Sequence, residues 1–116
     1  MAIDGFYRFV YAGRAGSGLG LLALHRGKIT GVDGGGGKFD GAYINDVDTG
    51  TVNFHVAMSV PPGTPLVTGA PARAEAWILH IDTTLPARFA GALPVPVATP
   101  FGQINVSLEL LRPFEA

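Results

Sequence analysis

The segment "TVNFHVAMSV", residues 51–60, alternates bulky apolar residues with smaller or polar ones. Its bulky apolar residues are Val52, Phe54, Val56, Met58 and Val60. Successive side chains of a β-strand point to opposite faces of a sheet, whereas those of a helix follow a longer period. The segment therefore predicts a half-buried antiparallel strand whose apolar side faces the core.

Similar patterns recur on both sides of this segment. Residues 103–113, "QINVSLELLRP", alternate most regularly, and residues 5–12 are rich in the aromatic and β-branched residues that favour strands. Residues 18–25 and 28–33 predict the two arms of a hairpin, joined by a tight turn at Arg26-Gly27 or Gly27-Lys28. The complete set of predicted strands is 5–12, 18–25, 28–33, 38–44, 51–60, 72–82 and 103–113.

The spacing of turn-forming residues indicates the fold class. The 17 glycines and 9 prolines occur at intervals along the chain rather than in one tract. A parallel α/β fold would need a helix between successive strands, and none is predicted. The sequence therefore predicts one all-β domain over residues 1–116, a small antiparallel up-and-down barrel of about seven or eight strands. At most one short helical turn is expected, around residues 86–90.

The alternation also predicts the core. Residues on the apolar side of each predicted strand should be mostly buried. They are Phe54, Val56, Met58, Trp77, Leu79, Ile81, Val106 and Leu108.

Composition and charge exclude several classes of function. The formal net charge is −1, and the 8 Lys and Arg residues are scattered, so direct nucleic-acid binding is not expected. The absence of cysteine excludes disulfides, thiolate zinc sites and cysteine nucleophiles. Asp4 and Arg8 interrupt the apolar run that a signal peptide needs, and no segment is long and apolar enough for a membrane helix. We expect a cytoplasmic protein with no membrane partner.

Two glycine clusters, "GRAGSGLG" at 13–20 and "DGGGGKFDGAY" at 33–43, invite a comparison with phosphate-binding loops. The first has the spacing G-x-G-x-G rather than G-x-G-x-x-G and is not followed by the lysine of a P-loop, and neither cluster contains the complete motif G-x-x-x-x-G-K-[ST]. Both are therefore interpreted as turns and links between strands. No phosphate, nucleotide or other cofactor is expected to bind them.

The chain also lacks an arrangement that predicts catalysis. Ser17 is not in the strand-to-helix setting of a nucleophile elbow. His25, His55 and His80 fall on three separate segments without the close spacing of zinc ligands. We expect no catalytic residues and no metal site, and hence a protein that is not an enzyme.

Short motifs in the first half of the chain occur in a characteristic order: "DGFYRF" at 4–9, a glycine-bearing segment, "ALHRGKITGVDGG" at 23–35 and "FDGAY" at 39–43. This order resembles the GrlR family of small regulators, whose best-known members are negative regulators of bacterial type III secretion. The resemblance implies a lipocalin-like antiparallel β-barrel, commonly dimeric, that binds a regulatory protein partner and performs no chemistry.

The resemblance also implies where a partner would bind. In founding members of that family, a surface loop carries an acidic Glu-Asp-Glu-Asp tetrad that engages a transcriptional activator. The matching positions here are Asn45, Asp46, Val47 and Asp48, of which two are acidic. Asn45, Asp46 and Asp48 are therefore the candidate partner-binding residues.

A second reading is a barrel that binds a small apolar molecule, because a barrel of about eight strands can hold one such ligand. The candidate pocket residues are Phe54, Val56, Met58, Trp77 and Leu79. An empty cavity of roughly 300 Å³ or more would favour this reading. A filled interior with an apolar outer patch would favour the protein-binding regulator.

The segment "GLGLLAL", residues 18–24, also bears on association. Leu19 and Leu21 fall on one side of the predicted strand, and Leu22 and Leu24 on the other. Only one side can face the interior of a barrel, so the other side needs cover. A symmetric homodimer would supply it.

Overall fold

The computed structural model describes residues 3–91 and 94–114, so both ends of the predicted 1–116 domain and residues 92–93 of the predicted loop lie outside the described part. The described chain forms a single eight-stranded antiparallel sheet that curls into a nearly closed barrel, in the order β6-β5-β4-β3-β2-β1-β8-β7. The strands are β1 (Gly5–Gly13), β2 (Gly16–His25), β3 (Lys28–Asp33), β4 (Lys38–Asp46), β5 (Thr51–Val60), β6 (Trp77–Pro86), β7 (Val95–Thr99) and β8 (Gly102–Pro113).

The predicted fold class is therefore confirmed. Every neighbouring pair of strands is antiparallel, and the only departure from sequence order is that β1 lies between β2 and β8. This pairing brings the first strand of the chain beside the last and curls the up-and-down sheet round.

The up-and-down course gives the barrel two ends. At one, the "Asp33 end", lie the β1–β2 turn, the β3–β4 turn after Asp33, the long β5–β6 loop and the β7–β8 turn. At the other, the "Phe89 end", lie the β2–β3 and β4–β5 turns and the β6–β7 connection that carries Phe89.

The alternation read from the sequence matches the burial of the side chains. Along β5, Val52, Phe54, Met58 and Val60 are buried, and His55 between them is exposed. Of the residues predicted to form the core, Phe54, Met58, Leu79 and Leu108 are buried, while Val56, Trp77, Ile81 and Val106 are half-buried and pack against the core.

The β2–β3 hairpin closes through the two-residue turn that the sequence predicts. His25 pairs with Lys28, leaving Arg26 and Gly27 as the loop. Both have positive φ, 50° at Arg26 and 81° at Gly27. Two-residue loops with positive φ at both positions match the twist of the flanking strands, and glycine adopts positive φ at the second position without a steric penalty.

The sheet has two edges, β6 and β7, which lie near each other without forming a ladder in the described residues. Strand β7 is only five residues long and contains Pro96, a residue that sheets tolerate at an edge. The barrel is therefore curled round but not sealed by backbone hydrogen bonds along this seam.

The segment between β5 and β8 differs most from the prediction. The short helical turn allowed for around residues 86–90 does not form: the described residues contain no helix, and residues 87–88 form a turn. Phe89 is only 2% exposed, and the Gly91 amide donates to the Leu108 carbonyl at 2.7 Å. Burial of the Phe89 ring and attachment to β8 hold the segment in this non-helical path.

Two strand assignments in this segment also need correction. Strand β7 was not predicted, because Pro96 lies within its five residues and Pro94 and Pro100 flank it, a composition typical of a loop. Strand β6 begins and ends later than the predicted 72–82, and residues 72–76 are exposed loop. Its C-terminal half continues through Thr83 and Thr84 because it pairs with β5 as far as Thr51. Within the described ranges, no helix is long and apolar enough to cross a membrane.

Candidate ligand-binding cavity

The barrel encloses a cavity of about 470 Å³. Its walls come from all eight strands and from the β5–β6 loop, and they are overwhelmingly apolar. The deep part is lined by aliphatic and aromatic side chains that include Leu24, Leu85 and Phe89. Such a volume falls within the range of roughly 300–1,000 Å³ found for small-molecule sites.

Four of the five residues predicted from the sequence as pocket candidates line this cavity: Phe54, Val56, Met58 and Leu79. Trp77 lies elsewhere. Its indole packs edge-on against Phe101, and the Arg73 guanidinium lies 3.7 Å from the ring centre. Trp77 thus belongs to the outer rim of the Asp33 end rather than to the cavity wall.

The Phe89 end is filled with aromatic side chains. The Phe89 ring lies 5.5 Å from both Tyr7 and Phe54, measured between ring centres. The buried Tyr7 hydroxyl donates to the carbonyl of Ile3 at 2.6 Å, which ties the N-terminal segment beneath the barrel. These contacts form a floor to the cavity.

The Asp33 end is polar by contrast. Asp33 is 8% exposed, and its Oδ2 accepts a hydrogen bond from the Tyr11 hydroxyl at 2.8 Å. Burial and this hydrogen bond raise the pKa of Tyr11 far above its ordinary value, so the phenol remains a donor at any physiological pH. Both side chains line the cavity near exposed residues Leu19, Gly34 and Gly35, which mark its mouth.

The four-glycine run after Asp33 forms a tight turn around this carboxylate. The amides of Gly35 and Gly37 donate to Asp33 Oδ1 at 3.0 and 2.7 Å. The amides of Gly34 and Gly36 donate to the carbonyls of Leu19 and Asp33. A phosphate-binding loop needs free amides pointing at the ligand, and here all four have partners within the protein.

The β5–β6 loop folds over the same end. Its Leu66 and Thr68 are buried, and the carbonyl of Val67 accepts a hydrogen bond from the Ala15 amide at 2.8 Å. The loop thereby rests on the β1–β2 turn and roofs part of the cavity. The mouth lies between this loop, the β1–β2 hairpin and the glycine turn.

The candidate partner-binding residues lie at the opposite end, in the β4–β5 turn. Asp46 Oδ1 accepts hydrogen bonds from the amides of Asp48 and Thr49 at 3.1 and 3.3 Å, an Asx-type turn. Asp48 is exposed, and Asn45 is half-buried at the end of β4. The structure therefore separates this acidic turn from the cavity mouth by the length of the barrel.

Asp33 and Tyr11 were not singled out from the sequence. The signal available was an aspartate directly before a glycine run, a combination that favours a side-chain-capped turn. That pattern predicts the turn but not the inward position of the carboxylate. The pairing with Tyr11 depends on the register of β1, β2 and β3, which a single sequence does not supply.

Comparison with protein-family models, curated proteins and solved structures finds no match to this chain.

Proposed function

We propose that this protein is a non-catalytic binding protein whose barrel takes up one small apolar molecule. The observation that carries the proposal is the cavity of about 470 Å³, lined almost wholly by apolar side chains and open beside Asp33. Removing apolar ligand surface from water stabilises a complex by roughly 25 cal/mol per Å² before the costs of binding are subtracted. The few polar groups at the mouth would orient the ligand.

Binding of a neutral apolar dye, N-phenyl-1-naphthylamine, tests this proposal. Its fluorescence should rise saturably with the wild-type protein. Ile81 lines the cavity, so Ile81→Phe should fill part of the space and weaken binding at least roughly tenfold. Ile78 lies on the same strand but is 57% exposed, so Ile78→Phe is the matched control and should bind as wild type.

Failure of the wild type to bind the dye would contradict the proposal, as would equal loss in both variants. Native mass spectrometry of the purified protein supplies an independent readout. An apolar molecule that co-purifies with the wild type and is reduced in Ile81→Phe would identify the ligand directly.

A second candidate function is a regulator that binds a protein partner through the β4–β5 turn. It is supported by the resemblance to GrlR-type negative regulators of type III secretion and by the exposed position of Asp48. A cationic partner surface would complement the carboxylates of Asp46 and Asp48. Capture from the native cell should yield a partner with wild type and with Asp40→Lys, an exposed control on β4, and lose it with Asp48→Lys. Equal capture by the two variants would argue against this site.

We also propose that the protein forms a homodimer through an outer apolar patch on β1, β2 and β3. The patch consists of Val10, Leu19, Leu21 and Val32, which are between 39% and 52% exposed. Val10 pairs with Leu19, and Leu21 with Val32, so the four side chains adjoin on the outer face. Contiguous apolar surface of this kind marks interfaces on small proteins.

Charges beside the patch favour a second copy as the occupant. Glu109, Arg8, Leu21, Val32 and Lys38 form one row across the strands, in that order. A two-fold axis running along β2 would reverse the row in the second copy, and Glu109 would then face Lys38. Such an arrangement places Lys38 beside Glu109, which also pairs with Arg8 at 3.3 Å, at both margins of a self-complementary apolar centre.

Light scattering at micromolar concentration tests the dimer. The wild type should have the mass of two chains, and Leu21→Glu should have the mass of one. Ile44→Glu, at an exposed position outside the patch, should remain dimeric. A wild-type mass of one chain that does not change with concentration would rule the dimer out.

A further inference from the structure

The ionisable groups that line the cavity at the Asp33 end are acidic. Among the described residues that line the cavity, the ionisable side chains are those of Asp33 and Tyr11. The described lining contains no lysine, arginine or histidine. A bound ligand would therefore meet one carboxylate at the mouth and no cationic side chain within the cavity.

The carboxylate of Asp33 has capacity for one more donor. An ionised carboxylate offers about four lone-pair sites. Oδ1 accepts the amides of Gly35 and Gly37, while Oδ2 accepts the Tyr11 hydroxyl alone. One site on Oδ2 thus remains, on a group that is 92% buried and held rigidly by the glycine turn.

We propose that the preferred ligand is an amphiphile with a positively charged amine head and an apolar body, and that Asp33 selects the head. The inference rests on the proposed function, because it requires the cavity to take up a ligand. The apolar body would lie against Phe54, Ile81 and Val106, and the ammonium would donate to Asp33 Oδ2 at the mouth. A fatty-acid carboxylate would meet a like charge there, and no cationic side chain in the described lining offsets it, so the cavity discriminates against anionic amphiphiles.

The test compares three probes that share one chain: decylamine, 1-decanol and decanoate, each below its micelle concentration at about pH 7, where an alkyl ammonium is charged. Displacement of N-phenyl-1-naphthylamine reports the affinities. Decylamine should bind roughly ten- to hundredfold more tightly than 1-decanol, the range expected for a charge-assisted hydrogen bond. Decanoate should bind most weakly.

Asp33→Asn assigns the preference to this residue. The asparagine Oδ1 can still accept the two glycine amides, while the charge is lost. The ratio of the affinities for decylamine and 1-decanol should fall toward one. Asp40→Asn, on the outer face of β4, removes the same charge away from the cavity and should preserve the full preference.

Circular dichroism would reveal whether Asp33→Asn misfolds. A second variant keeps the test valid in that case. Tyr11→Phe removes the phenol that donates to Oδ2 and leaves the two glycine donors to Oδ1 in place, so decylamine should still bind more tightly than 1-decanol. The wild-type ranking of the three probes is itself decisive without either variant.

The outcomes separate the two proposals. If 1-decanol and decylamine both fail to displace the dye, or the dye itself does not bind, the cavity function fails and this inference fails with it. If all three probes bind equally, or decanoate binds most tightly, the cavity function stands and the amine preference is overturned. Retention of the preference in Asp33→Asn overturns the role given to Asp33.

Discussion

The two ends of the barrel are built from the same strands and stabilised in different ways. At the Phe89 end, aromatic rings from three segments meet beneath the sheet, with Phe89 2% exposed between Tyr7 and Phe54. At the Asp33 end, a buried carboxylate is held by hydrogen bonds from Tyr11 and the glycine turn. Apolar packing closes one end, and directional hydrogen bonds hold the other partly open.

Because of this difference, the residues that contribute most to folding stability and those that would contact a ligand lie at opposite ends of the barrel. Removing an aromatic ring from a packed floor leaves a void that its neighbours fill only in part, so the Phe89 end should carry a large share of the folding free energy. Hydrogen bonds replace bonds to water, and their net contribution to stability is smaller. The Asp33 end is thus able to present polar groups to a ligand at modest cost to the fold.

The largest effect is expected from Phe89→Ala. Loss of the ring should lower the free energy of unfolding by about 3–5 kcal/mol, the usual cost of removing a buried aromatic side chain. Arg88→Ala, at the exposed neighbouring position, should change it by less than about 0.5 kcal/mol. Urea denaturation measures both. A loss below about 1 kcal/mol for Phe89→Ala would show that the floor is not the main support of the fold.

The next largest effect tests the middle of the barrel. Leu108 is 7% exposed on β8, and Leu111 on the same strand is 50% exposed. Leu108→Ala should cost about 2–4 kcal/mol in unfolding free energy, because it leaves an unfilled space in the core. Leu111→Ala should cost less than about 0.5 kcal/mol. Equal effects at the two positions would mean that the inward and outward faces of β8 were assigned wrongly.

The sequence predicted the walls of the barrel well and its ends poorly. The alternation in residues 51–60 and 103–113 follows from the pleat of a strand, a local property that one sequence displays directly. The turn at Arg26–Gly27 was likewise readable, because its geometry demands particular residues. Leu19 and Leu21 are exposed and Leu24 is buried, which agrees with the prediction that they lie on opposite faces of the strand.

The ends depend on contacts between distant parts of the chain. Phe89 occupies the floor only because Tyr7 and Phe54 surround the site, so a local preference for a helical turn was overridden. Pro96 made β7 resemble a loop, although an edge strand accepts proline. Asp33 meets Tyr11, 22 residues earlier, through the register of three strands. None of these pairings leaves a periodic signal in the sequence.

A smaller effect is expected within the glycine turn at the Asp33 end. A Cβ at Gly37 would lie 2.9 Å from both Asp33 Oδ2 and Met58 Cε, whereas one at Gly35 would lie 3.6 Å from its nearest neighbour. Gly37→Ala should therefore cost about 1–3 kcal/mol in unfolding free energy through overpacking. Gly35→Ala should change it by less than about 1 kcal/mol. If urea denaturation gave the same loss for both, the close packing around Asp33 would not be the cause.

The smallest effect belongs to a second carboxylate–tyrosine pair, Asp4 and Tyr43, at the Phe89 end. The Tyr43 hydroxyl donates to Asp4 Oδ1, and the Arg26 amide donates to Asp4 Oδ2 at 3.0 Å. These hydrogen bonds lower the pKa of Asp4 below its usual value of 3.8. Burial, and then the bond to Asp4, raise the pKa of Tyr43 from 10.0 to about 12.

The lowered pKa of Asp4 and the raised pKa of Tyr43 set an acid and an alkaline limit to the stability that this pair contributes. The carboxylate with a lowered pKa stabilises the fold above about pH 4, and this stabilisation is lost as the pH falls below that value. The phenol with a raised pKa stabilises the fold below about pH 10, and this stabilisation is lost as the pH rises from about 10 to about 12.

Tyr43→Phe should therefore lower the free energy of unfolding by about 0.5–1.5 kcal/mol at neutral pH. The difference from wild type should shrink toward both extremes. Urea denaturation across the pH range measures it, with Asp40→Asn as a control for general charge effects on β4. A difference that stayed constant from acid to alkali would mean that Tyr43 contributes through packing of its ring, and that the Phe89 end needs no carboxylate hydrogen bond of the kind that holds the Asp33 end together.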